Sequence, residues 1–268
     1  VVGAPDADGS RGTAYVFSRN QGGPDAWGEA RRLVASDRAS GDRFGDAVAV
    51  DGRTIFVGAW WDDVGSTTDQ GSAYVFTRQG NVWGQEKLIP APNEAQDEEF
   101  GGSIALSGDT LVVADERSDV WSTNRGAVYV LTRNEGGEDQ WGVVRTLANS
   151  GGKYGDLFGS SVTVDGDLLV AGAWFVDSGG IATSNEGAAY VFARNSGGAD
   201  QWGQIKKLVA GDDTAGDHFG SAVAISGDTV VVGAPDDDAV STDSGAAYVF
   251  TRNHGGNNNW GQVKKLTG

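Results

Sequence analysis

The sequence predicts an all-β fold, a β-propeller of four-stranded antiparallel blades. Three observations lead there. First, one pattern recurs five times, with Trp-Gly landmarks at Trp27, Trp83, Trp141, Trp202 and Trp260; self-similarity at this period marks propellers and arrays. Second, the chain of 268 residues holds 43 Gly and only 5 Pro. Glycine this dense, without a collagen period, marks many tight turns and so many short strands. Third, two of the four segments in each repeat are apolar on both faces. Sheets built from them must be covered on both sides, which radial packing of blades achieves. An up-and-down barrel is the alternative, and it leaves the long period and the doubly apolar segments unexplained.

The segments can be taken in order. Segment A reads FGDAVAV (Phe44–Val50), FGGSIAL (Phe100–Leu106), FGSSVTV (Phe158–Val164) and FGSAVAI (Phe219–Ile225). Its small residues suit a crowded innermost strand. Segment B starts at Val1, Ile55, Leu111, Leu169 and Val230 and is a continuous apolar run, so both its faces are expected to be buried. Segment C starts at Gly12, Gly71, Gly126, Gly187 and Gly245 and alternates, with Ala246, Tyr248 and Phe250 on one face and Ala247, Val249 and Thr251 on the other. Segment D follows each Trp-Gly and carries basic residues such as Arg31, Lys87, Arg145, Lys206 and Lys264. Charges of that kind protect an outermost strand from edge-to-edge pairing. The A–B connection is a Gly-containing turn such as Ser226-Gly227-Asp228, which is hairpin chemistry. The repeats span roughly 1–33, 44–89, 100–147, 158–208 and 219–266, in one propeller domain over 1–268.

Phe219-Gly220 and Gly233-Ala234-Pro235, with their variants along the chain, resemble the FG-GAP repeat of the integrin α-subunit propeller, in the version found in many bacterial and archaeal surface proteins. The resemblance covers essentially the whole chain. It implies a propeller, usually seven-bladed, at the cell surface or outside the cell, with adhesion, ligand-binding or scaffolding roles and often bound Ca²⁺. Two departures stand out. The family's Ca²⁺ loop lies between strands A and B, where this chain has only a short turn, too short to wrap an ion that wants six to eight oxygens. And the GAP half drifts to Gly58-Ala59-Trp60, Val113-Ala114-Asp115 and Gly172-Ala173-Trp174.

The segment count is uneven: five B, five C and five D, but four A. The first blade therefore lacks its innermost strand, and the edge of Val1–Ala4 is expected to be open. A continuation beyond Gly268, residues before Val1, or a strand donated by a neighbouring molecule would each fill it. The last makes self-association at this edge an expectation.

Composition narrows function. There is no Cys, hence no disulfide and no thiolate chemistry, and the net charge is −17. Nucleic acid is not an expected partner, since phosphate neutralisation needs clustered Lys and Arg. No apolar run is long enough for a transmembrane helix, so no membrane insertion is expected. Antiparallel order puts the B–C and D–A loops on one face, and 24 of the 37 acids fall there against six basic residues. That face is the expected site for cations, Ca²⁺ among them, or for a protein or glycan partner. Clustered carboxylates are hard-cation ligands. The metal candidates are Asp212, Asp213 and Asp217 with Asp236, Asp237, Asp238 and Asp243, together with Asp6 and Asp8. The Asp that precedes three of the four Phe-Gly pairs (Asp42, Asp156, Asp217) also reads as a turn cap. Trp60, Trp61, Trp121 and Trp174 enter the same loops and are candidates for stacking on sugars, or for packing between blades. The five Trp-Gly tryptophans read as packing residues.

At the other face every C segment ends in Arg (Arg19, Arg78, Arg133, Arg194, Arg252), and an Arg–Asp contact with the A–B turn is expected in each blade. Catalysis is not expected. His218 and His254 are the two histidines, and neither sits beside a serine in a nucleophile elbow. The leading expectation is an extracellular binding, adhesion or scaffolding propeller. The alternatives are a glycan-binding or glycan-cleaving propeller and a subunit that assembles by strand complementation.

Overall fold

The computed structural model describes residues 1–80, 82–93, 95–177, 184–212, 214–238 and 241–268, and for Gln85 and Glu86 the backbone alone. β1 (Val2–Ala4), an irregular helical turn α1 (Ala7–Ser10), β2 (Thr13–Arg19) and β3 (Trp27–Leu33) form the first sheet, in the order β1-β2-β3. The second holds β4 (Val48–Asp51), β5 (Thr54–Ala59), β6 (Ser72–Gln79) and β7 (Val82–Pro90). The third holds β8 (Ser103–Ser107), β9 (Thr110–Asp115), β10 (Ala127–Thr132) and β11 (Gly142–Leu147). The fourth holds β12 (Val162–Asp165), β13 (Leu168–Ala173), β14 (Ala188–Ala193) and β15 (Gly203–Leu208). The fifth holds β16 (Ala222–Ser226), β17 (Thr229–Ala234), β18 (Ala246–Thr251) and β19 (Gly261–Thr267). Each four-stranded sheet follows chain order, A to D, as the segments predict. The fold class is the β-propeller of four-stranded antiparallel blades. The first blade has three strands, without the innermost one.

The A–B hairpins close as their sequences require. Ser226 pairs with Thr229 across Gly227, whose φ is 54°. In four blades the C–D pairing shifts register at the same place, between Val16 and Phe17, Val130 and Leu131, Val191 and Phe192, and Val249 and Phe250. A bulge there adds local twist to each blade.

The chain divides into two compact units, Val1–Val113 and Ala114–Gly268. The core of the first unit sets Ala14, Val16 and Leu33 of the first blade against Phe44, Ile55, Tyr74, Phe76 and Trp83 of the second. The core of the second unit repeats that formula. Ala189, Val191 and Leu208 of the fourth blade face Phe219, Val230, Tyr248, Phe250 and Trp260 of the fifth. A blade thus offers a small aliphatic trailing face, and its successor covers it with an aromatic leading face. The phenylalanine of Phe-Gly sits edge-on to two rings of its own blade. Phe219 lies 5.4 Å from Tyr248 and 6.0 Å from Phe250, and Phe44 makes the same contacts with Tyr74 and Phe76. Each such pair adds about 0.5–1.5 kcal/mol beyond its burial.

This packing explains both halves of the motif. The glycine of Phe-Gly takes φ near 100° in all four copies (Gly45 105°, Gly101 99°, Gly159 103°, Gly220 101°), where a side chain is strained. Its N–H donates to the glycine carbonyl of its own B strand, Gly220 to Gly233 at 2.9 Å and Gly159 to Gly172 at 2.8 Å. The glycine of GAP, in turn, touches the next blade's Phe-Gly. A Cβ on Gly172 would lie 2.0 Å from the Gly220 carbonyl oxygen, and one on Gly58 would lie 2.0 Å from that of Gly101. Successive blades approach backbone to backbone, and only glycine leaves the room.

One packing expectation needs correcting. Trp83, Trp141, Trp202 and Trp260 are buried as predicted, but Trp27 is 68 % exposed. Its ring lies on the leading face of the first blade. The Arg–Asp expectation also needs refining. Arg194 pairs with Asp167 at 2.8 Å and Arg252 with Asp228 at 3.4 Å, as expected. The C–D loop supplies further partners: Asp25 for Arg19, Asp139 for Arg133, and Asn258 for Arg252.

Candidate functional site

Many of the acids on the B–C and D–A loops hold turns. In the B–C loops, Asp63 accepts the Asp69 N–H at 2.9 Å, Asp119 that of Asn124 at 2.6 Å, Asp177 that of Ser184 at 2.9 Å, and Asp238 that of Asp243 at 2.7 Å. In the D–A loops, Asp42 caps Ala39, Asp156 accepts the Lys153 N–H at 2.8 Å, and Asp217 accepts both the N–H and the hydroxyl of Thr214. The cap supports strained backbone. The residue that follows it is left-handed in each case, at Arg43 (56°), Leu157 (53°) and His218 (53°). Asp217 and Asp238 therefore hold turns with their carboxylates, and Asp243 supplies the N–H that Asp238 accepts. Asp6 pairs with Arg43 at 2.9 Å and Asp8 with Arg38 at 3.2 Å, while Asp236 meets His218 Nδ1. Asp213 lies outside the described residues.

A different pair of carboxylates stands out, one from each loop, joined by the tyrosine of strand C. In the fifth blade the Tyr248 hydroxyl lies between Asp212, at 2.9 Å, and Asp237. The Lys265 ammonium bridges the same two acids, 2.8 Å from Asp212 and 2.9 Å from the buried Asp237. A pocket of about 160 Å³ opens beside them, lined by Asp212, Thr214, Asp217, Asp237, Asp238 and Lys265. The hydrogen bond from Lys265 holds the Asp212 carboxyl below its ordinary range. Burial opposes the charge on Lys265, but its bonds to Asp212, Tyr248 and Asp237 outweigh that and hold the ammonium protonated.

The second blade repeats the arrangement without the cation. The Tyr74 hydroxyl lies 2.9 Å from Asp37 and 2.8 Å from Asp62, and Ser72 donates to Asp62. Leu88 stands opposite Tyr74, where Lys265 stands opposite Tyr248. The carboxylates respond as uncompensated charges do. Burial pushes Asp42 up to about 6, against the pull of the Ala39 N–H, and Asp62, Asp63 and Asp37 push it further. Burial likewise raises Asp62, with Asp37 and Asp63 adding to the shift against the bonds from Ser72 and Tyr74. The fourth blade differs, with an amide against its tyrosine and an arginine beside it. There Asn149 replaces the first acid, donates to Asp156 at 3.0 Å and is held by Arg125, and burial pushes Tyr190 up to about 12.

Trp60 and Trp61 stack at 5.4 Å with their planes 13° apart, and Arg43 lies 5.6 Å from each ring. Trp61 remains 41 % exposed, and its Nε1–H donates to Glu99 at 3.5 Å. Trp121 is also exposed, beside Arg125. Trp174 instead packs on Phe175 and His218. The Tyr–Asp–Asp pairing went unread in the sequence because Asp37 and Asp62 looked like any other loop acids. Their signal was the tyrosine that recurs in every C segment.

The family's Ca²⁺ site does not fit this chain. Two residues, Gly227 and Asp228, separate β16 from β17. Among the described residues no group of three or more His, Asp or Glu side chains is placed to hold a metal ion. No helix among them is long and apolar enough to cross a membrane.

No curated protein matches this chain. The solved structure of Pseudomonas aeruginosa periplasmic gluconolactonase, PpgL, is similar, with a TM-score of 0.54 and 18 % identity over 95 % of this chain. The chain spans 63 % of that structure's length, and the likeness is one of fold. The model of the FG-GAP repeat matches residues 27–76, 83–131, 141–192 and 202–250. Its unit runs from one blade's D strand to the next blade's C strand, so it is centred on the junction where Phe-Gly meets GAP. Those four matches cover about three quarters of the sequence, and the chain belongs to the FG-GAP repeat family.

Proposed function

We propose that this chain is a non-enzymatic binding or scaffolding propeller, extracellular or periplasmic, whose acidic loops receive the cationic groups of a partner protein. The observation that supports this most strongly is internal. In the fifth blade a lysine ammonium seats between Asp212 and Asp237, and in the second blade, which has the matching pair Asp37 and Asp62, a leucine holds the register position of that lysine. The fold thus carries its own example of what such a pair takes. A buried carboxylate such as Asp62, with like charges beside it, gains when a cation arrives, because its charged form then becomes favourable. Adhesion through this face follows from the same chemistry. The likeness to a gluconolactonase does not argue for catalysis, since at that identity it speaks only to fold.

Titrating a lysine-rich peptide into the protein tests the reading. Binding should weaken as salt rises and should fall when Asp37 and Asp62 are both changed to Asn. Binding that ignores salt and both substitutions would overturn it. Calcium chloride belongs in the same series, and a rise in melting temperature with Ca²⁺ but not with peptide would favour a metal ion over a basic partner.

A second reading rests on the stacked Trp60–Trp61 pair. One exposed indole beside Glu99 offers the stacking surface and the acceptor that a sugar ring needs. A glycan array separates it from the first: selective binding lost in Trp61→Ala supports a glycan ligand.

A further inference from the structure

We infer that the junction of the fourth and fifth blades holds a second binding site, for a small carboxylate with an apolar body. The site lies within the second unit and shares no residue with the acidic pairs of the loops. A cavity of about 290 Å³ opens between the outer strands of these two blades. Small-molecule pockets begin at about this size, near 300 Å³. On one side stand Lys206 and Leu208 of β15, with Ala210 and Gly211 just beyond it. The fifth blade supplies Phe250, Trp260 and Gln262. No acid is among the lining residues, in a chain whose net charge is −17.

The polar side chains at this cavity present donors. The Lys206 ammonium donates to the Asn259 side-chain oxygen at 3.0 Å and meets no carboxylate among the described residues. An ammonium has three N–H bonds, so two remain for a ligand. Gln262 Oε1 accepts the Gly211 N–H at 2.9 Å, while the amide N–H groups of Gln262 meet no acceptor among the described residues. Trp260 is 1 % exposed, and its indole N–H has no acceptor there either. The junction of the third and fourth blades shows how such a glutamine is otherwise satisfied. Gln204 and Gln262 stand opposite the phenylalanine of strand C in their blades. Gln204 accepts the Ser150 N–H at 2.8 Å and donates to the Ser150 hydroxyl at 2.8 Å. Gly211 takes the place of Ser150, three residues past the strand D leucine, and has no hydroxyl to offer. Donors without acceptors select an anion, and a carboxylate is an acceptor-only group that binds charged donors strongly. The floor of Leu208, Ala210, Phe250 and Trp260 belongs to the buried core and calls for an apolar body behind the carboxylate. A cation would face the Lys206 ammonium.

Calorimetric titration of the 268-residue chain with 4-phenylbutyrate tests this, beside 4-phenylbutylamine, 4-phenyl-1-butanol and acetate. Phenylbutyrate should bind one to one. The amine, the alcohol and acetate should each bind at least about ten-fold more weakly, the scale of one hydrogen bond to a charged group. Lys206→Met keeps the apolar stem without the ammonium. It should cost phenylbutyrate at least about ten-fold and leave the alcohol unchanged. Gly211→Ser supplies the hydroxyl that Gln204 finds in Ser150, so it should weaken phenylbutyrate without lowering the melting temperature. Changing Asp37 and Asp62 together to Asn should leave phenylbutyrate binding as it was, which separates this site from the acidic loops. No saturable binding of phenylbutyrate, equal binding of the amine or of acetate, or an affinity that survives both Lys206→Met and Gly211→Ser would overturn the inference.

Discussion

Changing Gly172 to Ala should destabilise the second unit severely, and the same change at Gly233 should not. Both are the glycine of a GAP segment, in β13 and β17. At Gly172 the new Cβ would lie 2.0 Å from the Gly220 carbonyl oxygen and 2.4 Å from Ser161 Oγ. Carbon and oxygen rest about 3.3–3.6 Å apart, so the fifth blade's Phe-Gly must move back by more than about 1 Å. Overpacking of this kind costs about 3 kcal/mol. The Ser161 hydroxyl, which donates to the Gly220 carbonyl at 2.7 Å, would lose that bond, adding about 1 kcal/mol. At about 2–4 °C per kcal/mol for a unit of this size, the melting temperature should fall by about 8–16 °C. At Gly233 the nearest atom to a new Cβ is the Ala222 Cβ, at 3.5 Å. That is ordinary contact, and removing a strand glycine should leave stability within about 0.5 kcal/mol or raise it slightly. Thermal and urea melts of the two variants, at low concentration, make the comparison. Equal effects, or a neutral Gly172→Ala, would refute the claim that GAP glycines exist to admit the next blade's Phe-Gly.

Lys265→Met should cost about 2–4 kcal/mol, because it strands the buried Asp237 without its cation; adding Asp237→Asn should recover most of it, as a double-mutant cycle in urea would read. Asp42 binds its proton more tightly folded, near 6, than at the ordinary value of 3.8. It therefore favours the folded state most below the lower value, and that advantage is lost as pH rises through about 6. Asp62 acts in the same direction. Asp42→Asn should flatten the fall in melting temperature between about pH 4 and 6, and an unchanged pH profile would contradict the shift. Asp165→Ala should cost about 1 kcal/mol by removing the acceptor of the Gly227 N–H, at 2.7 Å, one blade away.

Most of the fold was legible because it repeats. Five copies of a pattern fix strand order, hairpin turns and buried faces together, so β1 to β19 fall where segments A to D place them, and the missing strand of the first blade is visible as a missing Phe-Gly. The candidate site was less legible. Asp217 and Asp238 cluster as cation ligands would, and short polar side chains in tight loops also cap backbone N–H groups, as both of these do. Whether an acid is spent in this way depends on which N–H lies within reach, and only coordinates supply that. The pair proposed to receive a cation, Asp37 with Asp62, comes from loops separated by strands β4 and β5. What singles it out is a residue on yet another strand, leucine at position 88 where the fifth blade has lysine at 265. Reading that requires the cross-strand register of Tyr74 with Leu88 and of Tyr248 with Lys265. Trp27 was misread for a related reason. Its sequence context is that of a buried residue, and its exposure is a property of what lies beside its blade.

The most direct test of the acidic face as a cation receptor is proton release. A cation that seats beside Asp42 favours its charged form, so a lysine-rich peptide binding near pH 6, where burial holds Asp42 partly protonated, must expel protons. Calorimetric titrations in buffers of different ionisation enthalpy measure that number. The account predicts release at pH 6 that shrinks toward pH 8 and is reduced in Asp42→Asn. Binding with no proton release at pH 6, or release unchanged by Asp42→Asn, would contradict it.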